Sequence, residues 1–234
     1  IRFILSKALI VTAVSEPCLT PTKTMGKRII RTREIRSAKP TIIGEGEVTE
    51  YWYFKHLCSL TKISAEVLPM NFGPNILRAI ERRIKAILDK NGSVVVVFDT
   101  DVTESDMAKR QWMQALKKKY RDHKDVLICD SYPCIEYWFL LHYVDTHKLY
   151  SAPRLSDKVV KDLCDYIPAY SKQGKWVEDS RWVAALRAEG QEQAARERAV
   201  KYAEDSKQYS DGQSYTNLYK FFDKYPPKSI TYDH

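Results

Sequence analysis

The stretch Thr41–Leu57, TIIGEGEVTEYWYFKHL, decides how the rest of the chain is read. An apolar run ending at Ile43 meets Gly44-Glu45-Gly46-Glu47, and the chain then enters an amphipathic segment. That order predicts a strand, a glycine-flanked acidic turn and a helix over Thr49–Ser59, with Thr49 as its N-cap and Tyr53, Phe54 and Leu57 inward. Glycines on both sides of Glu45 allow a tight bend, or a positive φ, without steric cost. Such a turn lifts one carboxylate to the carboxyl end of a strand, where open α/β sheets bind ligands. Its weight depends on whether other carboxylates reach the same edge.

Downstream, Ala65–Pro69 reads as a second, peripheral strand. Ile76, Ile80, Ile84, Ile87 and Leu88 repeat at helical spacing through Asn75–Lys90, with Arg78, Arg82, Arg83 and Lys85 mostly on the other side. Asn91-Gly92 stops that helix. Ser93–Phe98, SVVVVF, has the unbroken β-branched run of a central parallel strand covered on both faces. It ends in Asp99-Thr100-Asp101, and the helix after it carries Trp112, Met113, Leu116 and Tyr120 inward. Val126–Cys129 is a fourth strand; Asp130-Ser131-Tyr132-Pro133 then turns into Cys134–Tyr143, a helix apolar almost all round and so buried. Strands alternating with helices predict an α/β fold with a parallel, right-handed crossover sheet. After Val144 the pattern yields helices at Leu149–Leu163, Ser180–Ser206 and Asn217–Asp223 and no further strand.

The domain reading is residues 1–24 as an extension, 25–145 as the α/β domain and 146–234 as a helical C-terminal subdomain. The first 24 residues have an apolar core but no initiating methionine, whereas Met25-Gly26-Lys27 opens a basic run. Translated upstream sequence or a misplaced start is preferred over a secretory signal. The 234 residues carry a net charge of +8, and +6 without the extension, whose Arg2, Lys7 and Lys23 outnumber Glu16. That balance favours a polyanionic partner without deciding one. Five cysteines, none in a C-x-x-C pair or zinc spacing, read as reduced thiols of a cytoplasmic protein.

In a parallel sheet the strand-following turns gather at one edge. Glu45 follows the first strand, Asp99 and Asp101 the third, Asp130 the fourth, and Glu136 lies one turn into the next helix. Hard divalent cations take oxygen ligands from one or two carboxylates and leave positions for phosphate and water. Acids that converge repel unless a cation or proton neutralises them, so convergence implies a metal. The simpler alternatives are that Asp99 and Asp101 cap the following helix and that Glu45 is a plain turn carboxylate. Asp130 belongs to its Asp-Ser-x-Pro turn as readily as to a metal, and Glu47 and Glu50 read as helix-start charges. Glu136, inside an apolar helix, must be paired or metal-bound to offset its desolvation.

Glu45–Glu50 as E-G-E-x-T-E, then Tyr53-Phe54, then F-D-T-D at Phe98–Asp101, then S-Y-P-C-I-E-Y-W-F-L-L-H at Ser131–His142, resemble the RloB-like family. The resemblance covers Thr41 to Tyr143, with echoes at Tyr170-Ser171-Lys172 and Thr216. It implies a Toprim-like core and a place in bacterial abortive-infection and restriction-linked phage defence. It also implies that Glu45 is the acid/base carboxylate, that Asp99 and Asp101 hold Mg²⁺ (or Mn²⁺) against a phosphodiester, and that Glu136 is a third-motif ligand or anchor. The expected activity is a metal-dependent nuclease acting on DNA or RNA, tRNA included, by hydrolysis. The alternative is a non-catalytic module that binds nucleic acid or an ATPase of a defence complex. The chain has no Walker-type loop, so any ATP use must come from such a partner.

His142 reads as a core histidine rather than a catalyst, and Lys172 as a solvated lysine or a phosphate contact. Trp176 and Trp182 are packing residues or base-stacking platforms. The basic ridges Arg78–Lys85 and Lys117–Lys124 are solvated helix faces or a phosphate-binding surface.

Overall fold

The structure is a computed structural model that describes residues 39–46, 48–69, 76–100, 106–150, 154–208 and 213–227. The N-terminal extension, Glu47 and Asp101 lie outside the described residues. All of the described residues belong to one compact unit.

β-Branched and apolar residues build the central strands. β1 (Thr41–Gly44), β2 (Glu66–Leu68), β3 (Val94–Asp99) and β4 (Val126–Tyr132) form a parallel sheet in the order β2-β1-β3-β4. Val94–Phe98 of β3 are buried throughout, as a strand covered on both faces requires. β5 (Tyr215–Thr216) then pairs antiparallel with β4, Ser131 opposite Thr216 and Tyr132 opposite Tyr215. The sequence pattern held no strand after Val144. Two residues are too few for an alternation to show, and what places them is a pairing partner some 80 residues away.

Alternating residues divide the sheet's two faces. Ile43, Val94, Val96 and Phe98 meet Ile80 and Ile84 of α2 (Ile76–Leu88) and Met113 and Leu116 of α3 (Met107–Tyr120). Ile42, Val95, Val97 and Cys129 meet the other layer, which begins with Tyr53, Phe54 and Leu57 of α1 (Thr49–Thr61) and the wholly buried α4 (Glu136–Leu140). Into this same core pack α5 (Leu155–Cys164), α7 (Arg181–Leu186), α8 (Gln191–Gln208) and α9 (Tyr219–Lys224), through Val159, Leu163, Val183, Ala195, Ala199 and Phe221. A short α6 (Gly174–Glu178) caps α1, with His56 Nε2 3.0 Å from the Val177 carbonyl.

Several local expectations change: the helix expected over Cys134–Tyr143 is α-helical only over Glu136–Leu140, and the one expected over Leu149–Leu163 begins at Leu155. Val48, not Thr49, precedes α1, and it makes no side-chain cap; Thr49 is already helical and buried. The expected helix Ser180–Ser206 is interrupted by a 3₁₀ turn at Ala188–Gly190, where Gly190 takes φ +83°. β4 runs on to Tyr132, so Asp130 is a strand residue rather than a turn residue.

Candidate functional site

The ends of β1 and β3 and the start of α4 bring the acids to one edge. The Glu45 N–H donates to the Val97 carbonyl at 2.9 Å, which extends the β1–β3 ladder one residue and carries the side chain just past the strand. Glu45 Oε1 lies 2.7 Å from Nζ of Lys109 in the first turn of α3. Its Oε2 is buried and has no hydrogen-bond partner among the described residues.

Glu50 folds back beneath the same turn. The Gly46 N–H donates to Glu50 Oε1 at 3.3 Å, and a Cβ on Gly46 would stand 2.1 Å from Glu50 Oε2. A Cβ on Gly44 would meet the Glu50 Cβ at 3.0 Å. Neither glycine has a positive φ, so the close approach of Glu50, rather than backbone handedness, is what requires them. Burial pushes the Glu50 carboxyl up to about 7, and the charges of Glu136 and Glu45 add to the rise.

Asp99 ends β3, and its Oδ1 accepts the Ile135 N–H at 2.9 Å, which ties it to the lead-in of α4. Glu136 opens α4 with no solvent exposure. Its Oε1 accepts from the Tyr170 hydroxyl at 2.7 Å and from Lys172 Nζ at 2.8 Å, while its Oε2 is buried without a partner among the described residues. For Lys172, burial works against the ammonium, but the attraction of Glu136 outweighs it and the pKa is raised. Burial, then Glu136, pushes the Tyr170 hydroxyl up as well. The Cys134 thiol rises through burial and then the charges of Glu136 and Asp99. Glu45, Glu50, Asp99, Glu136 and Lys172 thus share one electrostatic neighbourhood at the carboxyl ends of β1 and β3.

Asp130 serves elsewhere. Its register partner is Phe98, which places it on the α3 side of the sheet. Oδ2 takes Lys117 Nζ at 2.6 Å and the Tyr215 hydroxyl at 2.8 Å, Oδ1 takes Asn217 Nδ2 at 2.8 Å, and its carbonyl accepts the Asn217 N–H. These bonds fasten β5 to β4. His142 is buried with Nδ1 2.8 Å from the Trp138 carbonyl, and burial lowers its pKa to about 4, as befits a neutral core histidine. Trp182 donates to the Val177 carbonyl and stacks on Trp176, which packs against Tyr170, so both are packing residues.

Lys109, Tyr170 and Lys172, together with Glu50, are members of the site that the sequence pattern did not assign to it. Glu50 sits in a first helical turn, where an acid ordinarily reads as a solvated helix-start charge. The contacts of Lys109, Tyr170 and Lys172 span 34 to 64 residues and leave no local pattern, so only the family echo at Tyr170-Ser171-Lys172 pointed to the last two.

No three His, Cys, Asp or Glu side chains among the described residues stand close enough together to hold a metal ion. Among the described residues Glu45 Oε2 and Glu136 Oε2 are buried without a partner, and a carboxylate oxygen is the hard type of acceptor that Mg²⁺ takes.

A family model for RloB-like proteins matches residues 41–224. The chain belongs to the RloB-like protein family. The match runs past Tyr143 through Tyr170, Lys172 and Thr216, so the loop that holds Glu136 and the strand that pairs with β4 both lie within it. No curated protein and no solved structure matches the chain at a significant level. Among the described residues no helix is long and apolar enough to cross a membrane.

Proposed function

We propose that this RloB-like protein is a metal-dependent phosphodiesterase that cuts nucleic acid, with a Toprim-like site, and that it acts as an effector of anti-phage defence. The observation that carries the reading is the gathering of Glu45, Asp99 and Glu136 at one sheet edge with a buried, unpartnered oxygen on two of them. Desolvated acceptors of this kind are costly unless something completes them. Glu45 and Glu136, with Asp99 and Asp101, would hold Mg²⁺ or Mn²⁺. Bound there, the cation supplies Lewis acidity toward a phosphoryl oxygen and lowers the pKa of a bound water.

The chain's own residues supply the rest. Lys109 and Lys172 balance the charge of Glu45 and Glu136 and hold each carboxylate by one oxygen, so the other oxygen keeps a fixed aim. Glu50, with its carboxyl near 7, can give up or take a proton close to neutral pH without leaving the turn. Tyr170 donates to the same Glu136 oxygen that Lys172 holds.

The test is cleavage of DNA and of tRNA with Mg²⁺ or Mn²⁺ by the wild type, Glu45→Gln and Asp99→Asn, alone and with the ATPase encoded beside it, where there is one. Metal-dependent cleavage that falls by about 10²–10⁴-fold in Glu45→Gln is the expected result. Cleavage retained by both variants would sink the site assignment. Tight nucleic-acid or ATPase binding without cleavage in either setting would replace the enzyme with a binding module.

A further inference from the structure

The outward faces of α2 and α3 carry an arrangement that the acidic edge does not use. Both helices cover the same face of the sheet, Ile80 and Ile84 of one and Met113 and Leu116 of the other packing on Ile43, Val96 and Phe98. Away from those stripes, Arg78, Arg82, Arg83 and Lys85 on α2 and Lys118 and Arg121 at the end of α3 are all exposed. Arg78, Arg82 and Lys85 fall at the i, i+4, i+7 spacing of a single row.

None of these six cations makes an ion pair or side-chain hydrogen bond with a described residue. In the helical half Lys148, Arg187, Arg196 and Lys201 each meet a carboxylate, while Lys161 and Lys175 meet none among the described residues. Glu81, Asp89 and Asp122 lie among the basic residues, yet none pairs with them, although Glu81 precedes Lys85 by one helical turn. A merely solvated helix face gains from such i, i+4 pairs. A row of cations left open repels itself until an external anion arrives.

The direction of the row joins it to the site. β1 and β3 end at the acidic edge, and α2 and α3 run back against the strands, so both helices begin at that edge. Lys109, bonded to Glu45 from the first turn of α3, marks the place. From there α2 spans 13 residues, about 20 Å, or about six base steps of a duplex at 3.4 Å each. We propose that the α2–α3 face is a phosphate-backbone track that guides nucleic acid to the edge holding Glu45. The track rests on the phosphodiesterase reading for its purpose but not for its test.

The guanidinium groups that dominate α2 suit phosphate, which they grip through two parallel N–H bonds. An anionic membrane is the poorer fit. A helix lying on a bilayer must offer it an apolar face, whereas the apolar face of α2 is spent on the core. Among the described residues the exposed large hydrophobics are Val48, Met107, Leu149, Tyr166 and Val200, of which only Met107, the first residue of α3, lies on either helix.

The experiment measures binding of the full chain to a labelled single-stranded RNA and a labelled DNA duplex of about six to ten base steps beyond the track length. EDTA silences cleavage, and the NaCl concentration is varied. Arg82→Glu with Arg83→Glu, and Lys118→Glu with Arg121→Glu, are the test variants. Lys161→Glu with Lys201→Glu, in the helical half, is the control, and circular dichroism checks that all remain folded. Each test pair is expected to weaken binding about tenfold or more near 0.1 M salt and to flatten the slope of log K against log salt by about one per phosphate lost. The control is expected to bind as wild type does, and the tighter of RNA and DNA names the nucleic acid.

Wild-type affinity and slope in both test pairs would overturn the track, as would equal weakening by the control. So would a wild type that binds neither nucleic acid, or one whose cationic face binds only vesicles of anionic lipid. Cleavage is read separately. Glu45→Gln that loses cleavage at an unchanged Kd supports track and site together, while track variants with unchanged Kd overturn the track alone.

Discussion

Glu50 is the residue whose surroundings are most sensitive to pH. Its carboxyl is pushed up to about 7 by burial beneath the Gly44–Gly46 turn, with Glu136 and Glu45 adding to the rise. An unfolded chain would ionise the same group near 4.5. Between those values the folded state holds a proton that the unfolded state has lost. The stability it lends is therefore full below about pH 4.5 and is lost as pH rises through about 7, by an amount on the order of 3 kcal/mol. Glu50→Gln keeps an acceptor for the Gly46 N–H and removes the titration. We expect the variant to match the wild type near pH 5 and to melt several degrees higher near pH 8, in thermal scans across that range. A difference curve that is flat with pH would mean that Glu50 is ionised in the folded state at little cost. Glu45, Asp99 and Glu136 were legible because strand-end and buried-helix carboxylates announce themselves by position. Glu50 was not, since an acid in the first turn of a helix is ordinarily a solvated partner of the macrodipole. Only the missing Cβ atoms of two glycines let it turn inward.

At the scale of elements, the two residues of β5 are held by Asp130 rather than by strand length. Its side chain is 2% exposed and takes Lys117, Tyr215 and Asn217, so α3, β4 and β5 meet at one carboxylate. Lys117→Met removes the cation and leaves a buried carboxylate with two neutral donors. Breaking a buried pair from one side costs about 3–5 kcal/mol. Lys117 is 41% exposed and two donors remain, so a loss of about 1–3 kcal/mol is expected, read from the urea midpoint at neutral pH. An unchanged midpoint would show that Tyr215 and Asn217 suffice. The same contact explains what the sequence pattern concealed. β1 to β4 and α1 to α3 were readable from local periodicity, to within a residue or two at most ends. β5 depends on a carboxylate 85 residues earlier, and Asp130 looked like a turn residue because the strand's apolar run stops at Cys129 while its pairing with β3 continues. Lys117, the first residue of a basic ridge by sequence, is drawn out of that ridge by the same bond.

Across the whole molecule, the helices after Tyr143 complete the core of the sheet instead of forming one of their own. Phe54 of α1 meets Phe221 of α9 at 5.1 Å between ring centroids, Tyr53 meets Trp182 of α7 at 5.9 Å, and the Trp138 indole donates to the Tyr53 hydroxyl at 2.7 Å. Arg198 of α8 reaches the Leu141 carbonyl at 2.6 Å, and Lys172 and Tyr170 hold the buried carboxylate of α4. Without those helices, α1 and α4 would expose their aromatic faces and Glu136 would lose both of its donors. The acidic edge is therefore assembled only when the late segments dock. Phe221→Ala removes a fully buried ring and should cost about 3–5 kcal/mol. It should do so by lowering a single transition in which far-ultraviolet circular dichroism and tryptophan fluorescence coincide in urea. A fragment that stops at Val144 should give no cooperative transition at all. If the fragment instead unfolds cooperatively, or if Phe221→Ala splits the transition in two, the sheet and the late helices are separate folding units and Glu136 is held less firmly than its burial suggests.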